Sequence, residues 1–211
     1  MTKIVCIADT HGFHRQIDIP DADILIHAGD IGIEKWPGAL YDFNRWLGEL
    51  PHPHKVVIPG NHDFWIEKNV QEARQILTNC HFLIDQQVII KGFKIYGSPW
   101  QPYFFDWAWN LQRGEQLRRV WAQIPNDTDI LVTHGPPYKI LDFTPHGYLH
   151  VGCEDLAKRI REIKPMLHIC GHIHYSYGIE SYGPTTYVNA SICSESYAPI
   201  NLPIVIELED K

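Results

Sequence analysis

The sequence predicts a mixed α/β sandwich rather than a single parallel sheet. In the early part of the chain, short apolar runs alternate with segments of helical periodicity, and later apolar runs are joined by short turns. The 211 residues are 45% hydrophobic and 20% charged, which suits one globular domain over residues 1–211. The same composition excludes disordered, collagen-like and coiled-coil chains.

Apolar runs and helical repeats predict the individual elements in chain order. Strands are predicted at 3–8, 23–28, 55–58, 88–90, 93–96, 129–132, 166–170, 185–188 and 204–208. Apolar residues between 40 and 50 recur at helical spacing, and Pro51 is expected to end that helix. Further helices are predicted at 70–77, 115–124 and 153–163. Lys91 and Gly92 should join two of the strands into a hairpin.

Charge, cysteine and hydropathy patterns exclude several classes of protein. The formal net charge of -7 leaves no basic stripe for a phosphate backbone, so we expect no stable complex with long nucleic acids. The five cysteines are scattered without a Cys-x-x-Cys pair, which predicts reduced thiols in a cytoplasmic protein. No apolar run approaches the roughly 18 residues that span a bilayer, and the first residues do not resemble a signal peptide. We therefore expect no membrane association.

Polar clusters rich in histidine follow five of the predicted strands. The chain has 13 histidines against 18 lysines and arginines, which favours a metal site or acid–base chemistry. The clusters are Asp9-Thr10-His11-Gly12, Gly29-Asp30, Gly60-Asn61-His62-Asp63, His134-Gly135-Pro136-Pro137 and Gly171-His172-Ile173-His174. Ligands of open α/β sheets bind beyond the carboxyl ends of the strands, so we expect all five clusters to meet at one rim.

The residue types in these clusters suit a pair of divalent metal ions. Residues i and i+2 of a strand or tight turn point the same way, so Asp9 with His11, and His172 with His174, can each bind from one side. Asp30 can bridge two ions and neutralise part of their mutual repulsion. The mixture of carboxylate, amide oxygen and imidazole favours manganese, iron or zinc over calcium. Sharp backbone turns beside the ions are expected at the glycines at 12, 29, 60, 135 and 171.

Taken singly, several of these clusters also occur in ordinary turns and caps, and only their ordered set indicates a site. The pattern Asp-x-His, Gly-Asp, Gly-Asn-His-Asp, His and Gly-His-x-His, over residues 9–174, resembles the calcineurin-like metallophosphoesterases. Segments 96–102, 151–156 and 187–191 are similar to a small branch that contains the metallophosphoesterase-domain proteins of animal brain. The chain also resembles class III cyclic-nucleotide phosphodiesterases. The resemblance implies a two-sheet mixed β sandwich flanked by α-helices, and a phosphoesterase with two divalent metal ions.

The resemblance also implies a role for each motif residue. Seven side chains would hold the metals: Asp9, His11 and His174 the first ion, Asp30 both ions as a bridge, and Asn61, His134 and His172 the second ion. His62 would assist the leaving group while a hydroxide shared by the two ions attacks phosphorus in line. The substrate-binding residues are predicted to be Asn61, His62 and, from the loop after Pro136-Pro137, His150.

Departures from the family pattern narrow the substrate. Protein Ser/Thr phosphatases continue from Gly-Asp with x-Val-Asp-Arg-Gly, whereas Asp30 is followed here by Ile31, Gly32, Ile33 and Glu34. The acid that would orient the catalytic histidine and the arginine that would bind phosphate are therefore missing. We expect a small phosphodiester or nucleotide, with cyclic nucleotides among the candidates. The alternative is a weakly active, metal-dependent nucleotide-binding or scaffold protein, which the loss of a ligand would favour, but all the motif histidines are present.

Other aromatic and histidine residues have no assigned role in this scheme. The aromatic run comprises Trp100, Tyr103, Phe104, Phe105, Trp107 and Trp109. It can stack on a nucleobase, or it can form a packed loop or a homodimer contact, and we favour the second interpretation. His27 and His168 lie in predicted strands and should be hydrogen-bonded core residues. Surface or loop positions are predicted for most of His14, His52, His54, His81 and His146.

Overall fold

The computed structural model describes residues 1–32, 37–145, 147 and 149–211. Its α-helices are α1 (Gly38–Glu49), α2 (Phe64–Lys68), α3 (Val70–Ile76), α4 (Glu115–Trp121) and α5 (Glu154–Ile163). Its strands are β1 (Thr2–Ile7), β2 (Ile24–His27), β3 (His54–Val57), β4 (His81–Phe82), β5 (Gln86–Ile90), β6 (Phe93–Ser98), β7 (Gln101–Pro102), β8 (Asn110–Leu111), β9 (Ile130–Thr133), β10 (Phe143–Thr144), β11 (Leu149–His150), β12 (Leu167–Cys170), β13 (Gly178–Tyr182), β14 (Thr185–Asn189) and β15 (Ile204–Leu208). Ile33, Glu34 and His146, which the sequence analysis names, lie outside the described residues.

Two large β-sheets form the body of the molecule. The first has the strand order β15-β1-β2-β3-β4 and is parallel except for β15, which pairs antiparallel with β1. The second has the order β13-β14-β12-β9-β6-β5, with four parallel inner strands and an antiparallel strand at each edge. With helices flanking the two sheets, the structure confirms the mixed α/β fold predicted from the sequence, including the β5–β6 hairpin.

The hydrophobic core lies between the two sheets. Alternate residues of each strand point to opposite faces, so Ile4 and Ile26 of the first sheet pack with Ile95 and Ile169 of the second. The residues between them face the helices, and Leu25 packs there with α1. Among the described residues, no helix has the length and apolar character needed to cross a membrane.

The sequence misplaces or misses elements where the hydrophobic pattern is weak. Helix α4 ends at Trp121 rather than at 124, and α5 begins after Cys153, whose Sγ accepts a hydrogen bond from the Leu156 N–H as an N-cap. Helix α2 is too short to show a period, and β13 is largely exposed on both faces. His14 and His52 lie in connecting segments, but both are buried rather than on the surface.

Candidate metal centre

The five polar clusters meet at one edge of the sandwich, where strands of both sheets end. The clusters at 9–12, 29–30 and 60–63 follow β1, β2 and β3, and those at 134–137 and 171–174 follow β9 and β12. The backbone of Ala8 joins the two sheets at this edge. Its N–H donates to the Ala190 carbonyl at 2.8 Å, and its carbonyl accepts from the Ile192 N–H at 2.9 Å. Residues far apart in sequence are thereby brought into one site.

Asp9, His11 and His174 form a first group of possible ligands. Their donor atoms lie within 4.8 Å of one another, with 3.3 Å between the two Nε2 atoms of the histidines. His174 Nδ1 donates to the Ser194 carbonyl at 2.8 Å, so its Nε2 atom faces Asp9 and is the one that an ion would bind in place of a proton. Asp9 Oδ1 is buried and has no hydrogen-bond partner among the described residues. A cation placed between these atoms would satisfy the oxygen.

Asn61, His134 and His172 form a second group. Asn61 Oδ1 lies 2.7 Å from both His134 Nε2 and His172 Nδ1. His134 Nδ1 donates to the Ala28 carbonyl at 2.9 Å, so its Nε2 atom is the one that faces the centre and that an ion would bind in place of a proton. One amide oxygen and two imidazole nitrogens therefore point to a common place, as ligands of one ion do.

Asp30 lies between the two groups. Its Oδ1 atom is 3.4 Å from His134 Nε2, and its Oδ2 atom is 3.7 Å from His11 Nε2. The donor atoms of Asp9, Asp30 and His134 also lie within 4.8 Å of one another. Asp30 therefore has the position that a bridging carboxylate needs, and the donor set as a whole fits two divalent ions.

The electrostatics of the centre favour bound cations. Burial by itself would raise the pKa of both carboxyl groups, but His174 holds the pKa of Asp9, and His134 that of Asp30, well below the usual range. Burial would likewise lower the pKa of the two imidazoles, yet Asp30 raises the pKa of His134, and Asp9 that of His174, to about 9. Burial lowers the pKa of His172 to about 3. The two buried carboxylates are therefore ionised and attract positive charge.

The backbone at the centre is strained. Four of the seven predicted ligands have left-handed φ angles: Asp9 at 52°, His11 at 42°, Asp30 at 57° and His172 at 68°. Side chains other than glycine rarely adopt this region, and each such residue costs about 1–3 kcal/mol. The turns are therefore held by interactions elsewhere in the fold.

Asp63 is one source of that support. Its buried carboxylate accepts hydrogen bonds from the backbone N–H groups of Gly60 at 2.8 Å, Ile31 at 3.2 Å and Gly32 at 3.1 Å. It thus ties the loop that carries Asp30 to the loop that carries Asn61. The sequence analysis includes Asp63 in a motif but assigns it no role, because this role depends on a loop some 30 residues away.

Close packing, rather than turn geometry, explains two of the motif glycines. The backbone turns after Gly60, where the Asp63 N–H donates to its carbonyl, and after Gly171, where the Ile173 N–H does so, but neither glycine has positive φ. A Cβ atom at Gly60 would collide with Asp30 Oδ1, and one at Gly171 would collide with Asp9 Oδ2. Gly12 and Gly29 do have positive φ, as predicted.

A cavity of about 520 Å³ opens over the centre. Asp30, Asn61, His172 and His174 lie at its floor, and His62 lines it beside them. The His62 ring lies edge-on to His11, with 5.0 Å between the ring centroids, and its backbone N–H donates to Asp30 Oδ1 at 2.8 Å. This location suits a group that acts on a substrate bound at the floor.

The aromatic run divides into two parts. Trp109 is buried, and Trp100 packs against it and donates from Nε1 to Asp85 at 2.7 Å, so these two residues are structural. The cavity wall is lined by Tyr103, Phe104 and Trp107. The Trp107 ring centroid lies 5.1 Å from that of His62. The packing interpretation therefore fits Trp100 and Trp109, whereas Tyr103, Phe104 and Trp107 face the cavity.

His150 is not brought to the cavity. Its Nδ1 atom lies 2.6 Å from Asp142 Oδ1, while the residues on either side of it, Leu149 and Val151, line the cavity. Successive residues of a strand point to opposite sides, so the His150 side chain faces away. This arrangement gives no support to a substrate contact by His150.

Two cavity residues escape sequence reasoning. Arg113 lines the wall, where its guanidinium donates to the carbonyls of Val151 and Gly152, each at 2.7 Å, and pairs with Glu154. Tyr197 also lines the cavity, from a turn that follows β14. Neither residue stands in a motif, because both reach the site through loops distant in sequence from the five clusters.

Known proteins share the sequence pattern and the fold of this chain. The calcineurin-like phosphoesterase family model matches residues 2–176. Human metallophosphoesterase domain-containing protein 1 is 43% identical over 231 residues, covering 98% of this chain and 71% of that protein. A UPF0046 protein of Caenorhabditis elegans is 35% identical over 223 residues, covering 99% and 76%. The solved structure of a phosphopantetheinyl hydrolase from Mycobacterium tuberculosis has a TM-score of 0.61 at 14% identity, covering 96% and 95%, and supports the fold alone.

Proposed function

Given that the chain belongs to the calcineurin-like phosphoesterase family and is a metal-dependent phosphoesterase, we propose that it hydrolyses small phosphodiesters or nucleotides. The observation that carries the proposal is the pair of ligand groups around Asp30 at the floor of a cavity of about 520 Å³. A cavity of this volume admits a nucleotide-sized ligand. The proposal treats residues 1–211 as one catalytic domain, because both sheets contribute ligands.

The proposal assigns two divalent ions to the seven side chains. Asp9, His11 and His174 would hold one ion; Asn61, His134 and His172 would hold the other; Asp30 would bridge them. The nitrogen-rich donor set favours manganese, iron or zinc. When bound, such ions lower the pKa of water and neutralise charge on the phosphoryl oxygens.

The chain's own side chains complete the reaction. His62 lines the cavity beside the floor and is the group proposed to give a proton to the leaving oxygen. Asn61 Oδ1 lies at the floor, where its position is fixed between His134 and His172. The aromatic wall limits the access of water to the bound ester.

The charge of the wall favours diesters over monoesters. Among the described lining residues, Arg113 is the one lysine or arginine, and its charge is already paired with Glu154. Apart from the two proposed ions, little free positive charge is thus left for the second negative charge of a monoester. Tyr103, Phe104 and Trp107 offer aromatic faces on which a nucleobase can stack. The free thiols of all five cysteines fit a reducing compartment, in line with the proposed cytoplasmic location.

The proposal is tested by turnover of chromogenic monoesters and diesters and of 2′,3′- and 3′,5′-cyclic nucleotides. Assays with added Mn²⁺ should show activity that a chelator abolishes and that fresh metal restores. Faster turnover of diesters than of monoesters would support the substrate preference. Activity that survives chelation, or no turnover of any ester, would contradict the enzyme assignment. Tight nucleotide binding without turnover would favour a metal-dependent binding or scaffold protein instead.

A further inference from the structure

The turn at residues 194–198 contacts both a candidate metal ligand and His62. The Ser194 carbonyl accepts a hydrogen bond from His174 Nδ1 at 2.8 Å and another from the Tyr197 N–H at 2.8 Å. The Ser194 N–H donates to the Ala198 carbonyl at 2.8 Å and closes the turn. The same short segment therefore orients His174 and places Tyr197.

The Tyr197 side chain lies against the histidines of the centre. Its ring centroid is 4.7 Å from that of His11, 5.5 Å from that of His174 and 5.8 Å from that of His62. Its hydroxyl oxygen is 3.4 Å from His62 Nε2. Tyr197 and His62 line the same cavity as Asp30, so both face the place where an ester would bind.

The backbone of Tyr197 is in an unfavourable conformation. Its φ angle of 59° lies in the left-handed region, which a bulky aromatic residue rarely adopts. Such residues persist where the surrounding structure fixes them, and they concentrate at functional sites. At this turn, Ser194 Oγ accepts from the Ala198 N–H at 3.3 Å and lies 2.9 Å from Ser196 Oγ.

The chemistry of the two side chains suits a lasting contact. A phenol hydroxyl can accept a hydrogen bond from a protonated Nε2 and can donate one to a bare Nε2. The Tyr197 hydroxyl can therefore hydrogen-bond His62 Nε2 in either tautomer of the imidazole.

We propose that the Tyr197 hydroxyl is a positioning residue for His62, holding the imidazole in the orientation from which it protonates the leaving oxygen. The inference rests on the function proposed above. In the hydrolytic step, a water oxygen bonds to phosphorus, and the bond from phosphorus to the alcohol oxygen breaks. The alcohol oxygen keeps the electron pair and takes a proton from His62. The proton lost by water enters the solvent, from which His62 is reprotonated, and Tyr197 keeps its own proton throughout.

The test compares Tyr197→Phe with the wild type on two matched diesters, methyl phenyl phosphate and methyl p-nitrophenyl phosphate. Phenol is the poorer leaving group, so its departure depends more on protonation. We expect kcat to fall about 10-fold on the phenyl ester. The fold-decrease on the nitrophenyl ester should be smaller by a factor of about 3 or more. KM and bound metal, measured by mass spectrometry, should change less than about 2-fold, because the aromatic ring remains. Tyr41→Phe, an exposed tyrosine on α1, is the matched control.

A double-mutant cycle with His62→Ala separates positioning from a structural effect. If Tyr197 acts through His62, Tyr197→Phe should cause no further loss of kcat in the His62→Ala background. Equal losses on the two esters, or a full additional loss in that background, would overturn the inference while leaving the proposed function intact. No turnover of either ester by the wild-type protein with Mn²⁺ would overturn the proposed function, and this inference with it.

Discussion

The floor and the wall of the cavity are built from different parts of the fold. The floor consists of short turns at the ends of buried strands, and its side chains are fixed by backbone contacts such as that between His174 and the Ser194 carbonyl. The wall residues Phe104 and Trp107 belong to the segment between β7 and β8, where Phe104 is exposed and Trp107 is half-buried. If the proposed function holds, the metal chemistry would depend on the floor, and the choice of substrate would depend on the wall.

The largest effect is expected from His62→Ala, which changes the floor without removing a proposed ligand. Because the leaving oxygen loses its proton donor, kcat should fall by about 10²–10⁴-fold, with the larger losses on esters of poorer leaving groups. Bound metal should be retained, since the hydrogen bond from residue 62 to Asp30 comes from the backbone. Steady-state kinetics and metal analysis of the same preparation measure both quantities. Turnover equal to that of the wild type would remove His62 from the mechanism.

A smaller and selective effect is expected from Trp107→Ala, which changes the wall. Loss of a stacking surface is worth about 1–3 kcal/mol per base, so KM for the p-nitrophenyl ester of thymidine 5′-phosphate should rise about 5-fold or more. KM for methyl p-nitrophenyl phosphate, which has the same leaving group but no base, should change much less.

Phe105→Ala is the matched control for the wall. Phe105 is 65% exposed in the same segment and is not among the described lining residues, so its removal should affect both esters less than Trp107→Ala does. Equal increases in KM for the two esters in Trp107→Ala would show that the wall does not distinguish substrates, and the contrast between floor and wall would then fail.

The smallest effect at neutral pH is expected from His168→Gln, which changes a buried histidine of β12 and is predicted to alter the pH dependence of stability. His168 Nε2 lies 2.8 Å from Thr133 Oγ1, and burial lowers the pKa of this histidine from 6.5 to about 3. The unfolded chain binds a proton there below about pH 6.5, whereas the folded protein does so only near pH 3, so acid favours unfolding. Within that window, His168→Gln should make the free energy of unfolding less dependent on pH, by about 1.4 kcal/mol per pH unit.

Urea unfolding of metal-free protein at several pH values measures this dependence. His81→Gln is the comparison, since His81 lies exposed in β4 and should contribute less. An identical pH dependence in His168→Gln and the wild type would mean that His168 is charged in the folded protein. That result would contradict the assignment of His168 as a neutral core residue.

The residues of the floor can be predicted from the sequence because each cluster is marked by residues that are neighbours in the chain. Each cluster, such as Asp9-Thr10-His11-Gly12, combines a strand signal with polar residues two positions apart, and strand ends meet at one edge by topology. The mixed fold follows in the same way from alternating apolar runs. The need for glycine at position 60 cannot be predicted in this way, because the Asp30 carboxylate that would collide with a Cβ atom there comes from another loop.

The wall is not readable from the sequence, because it is assembled by loops. Trp100 and Trp107 are the same residue type and lie only seven positions apart in the sequence. Trp100 nevertheless packs inside the structure, whereas Trp107 faces the cavity. Only the path of the loop separates them. Likewise, His150 is next in sequence to residues that line the cavity. Side chains alternate between the two faces of strand β11, however, and the His150 side chain faces Asp142 instead.

The left-handed backbone at Asp9, His11, Asp30 and His172 bears on how such a protein can change over generations. Glycine at any of these positions would relieve backbone strain of about 1–3 kcal/mol while removing a proposed ligand. Lineages under selection for heat tolerance alone would therefore be expected to lose this centre before the hydrophobic core decays. At each of these four positions, the residue type that the proposed metal centre needs therefore differs from the one that the backbone conformation prefers.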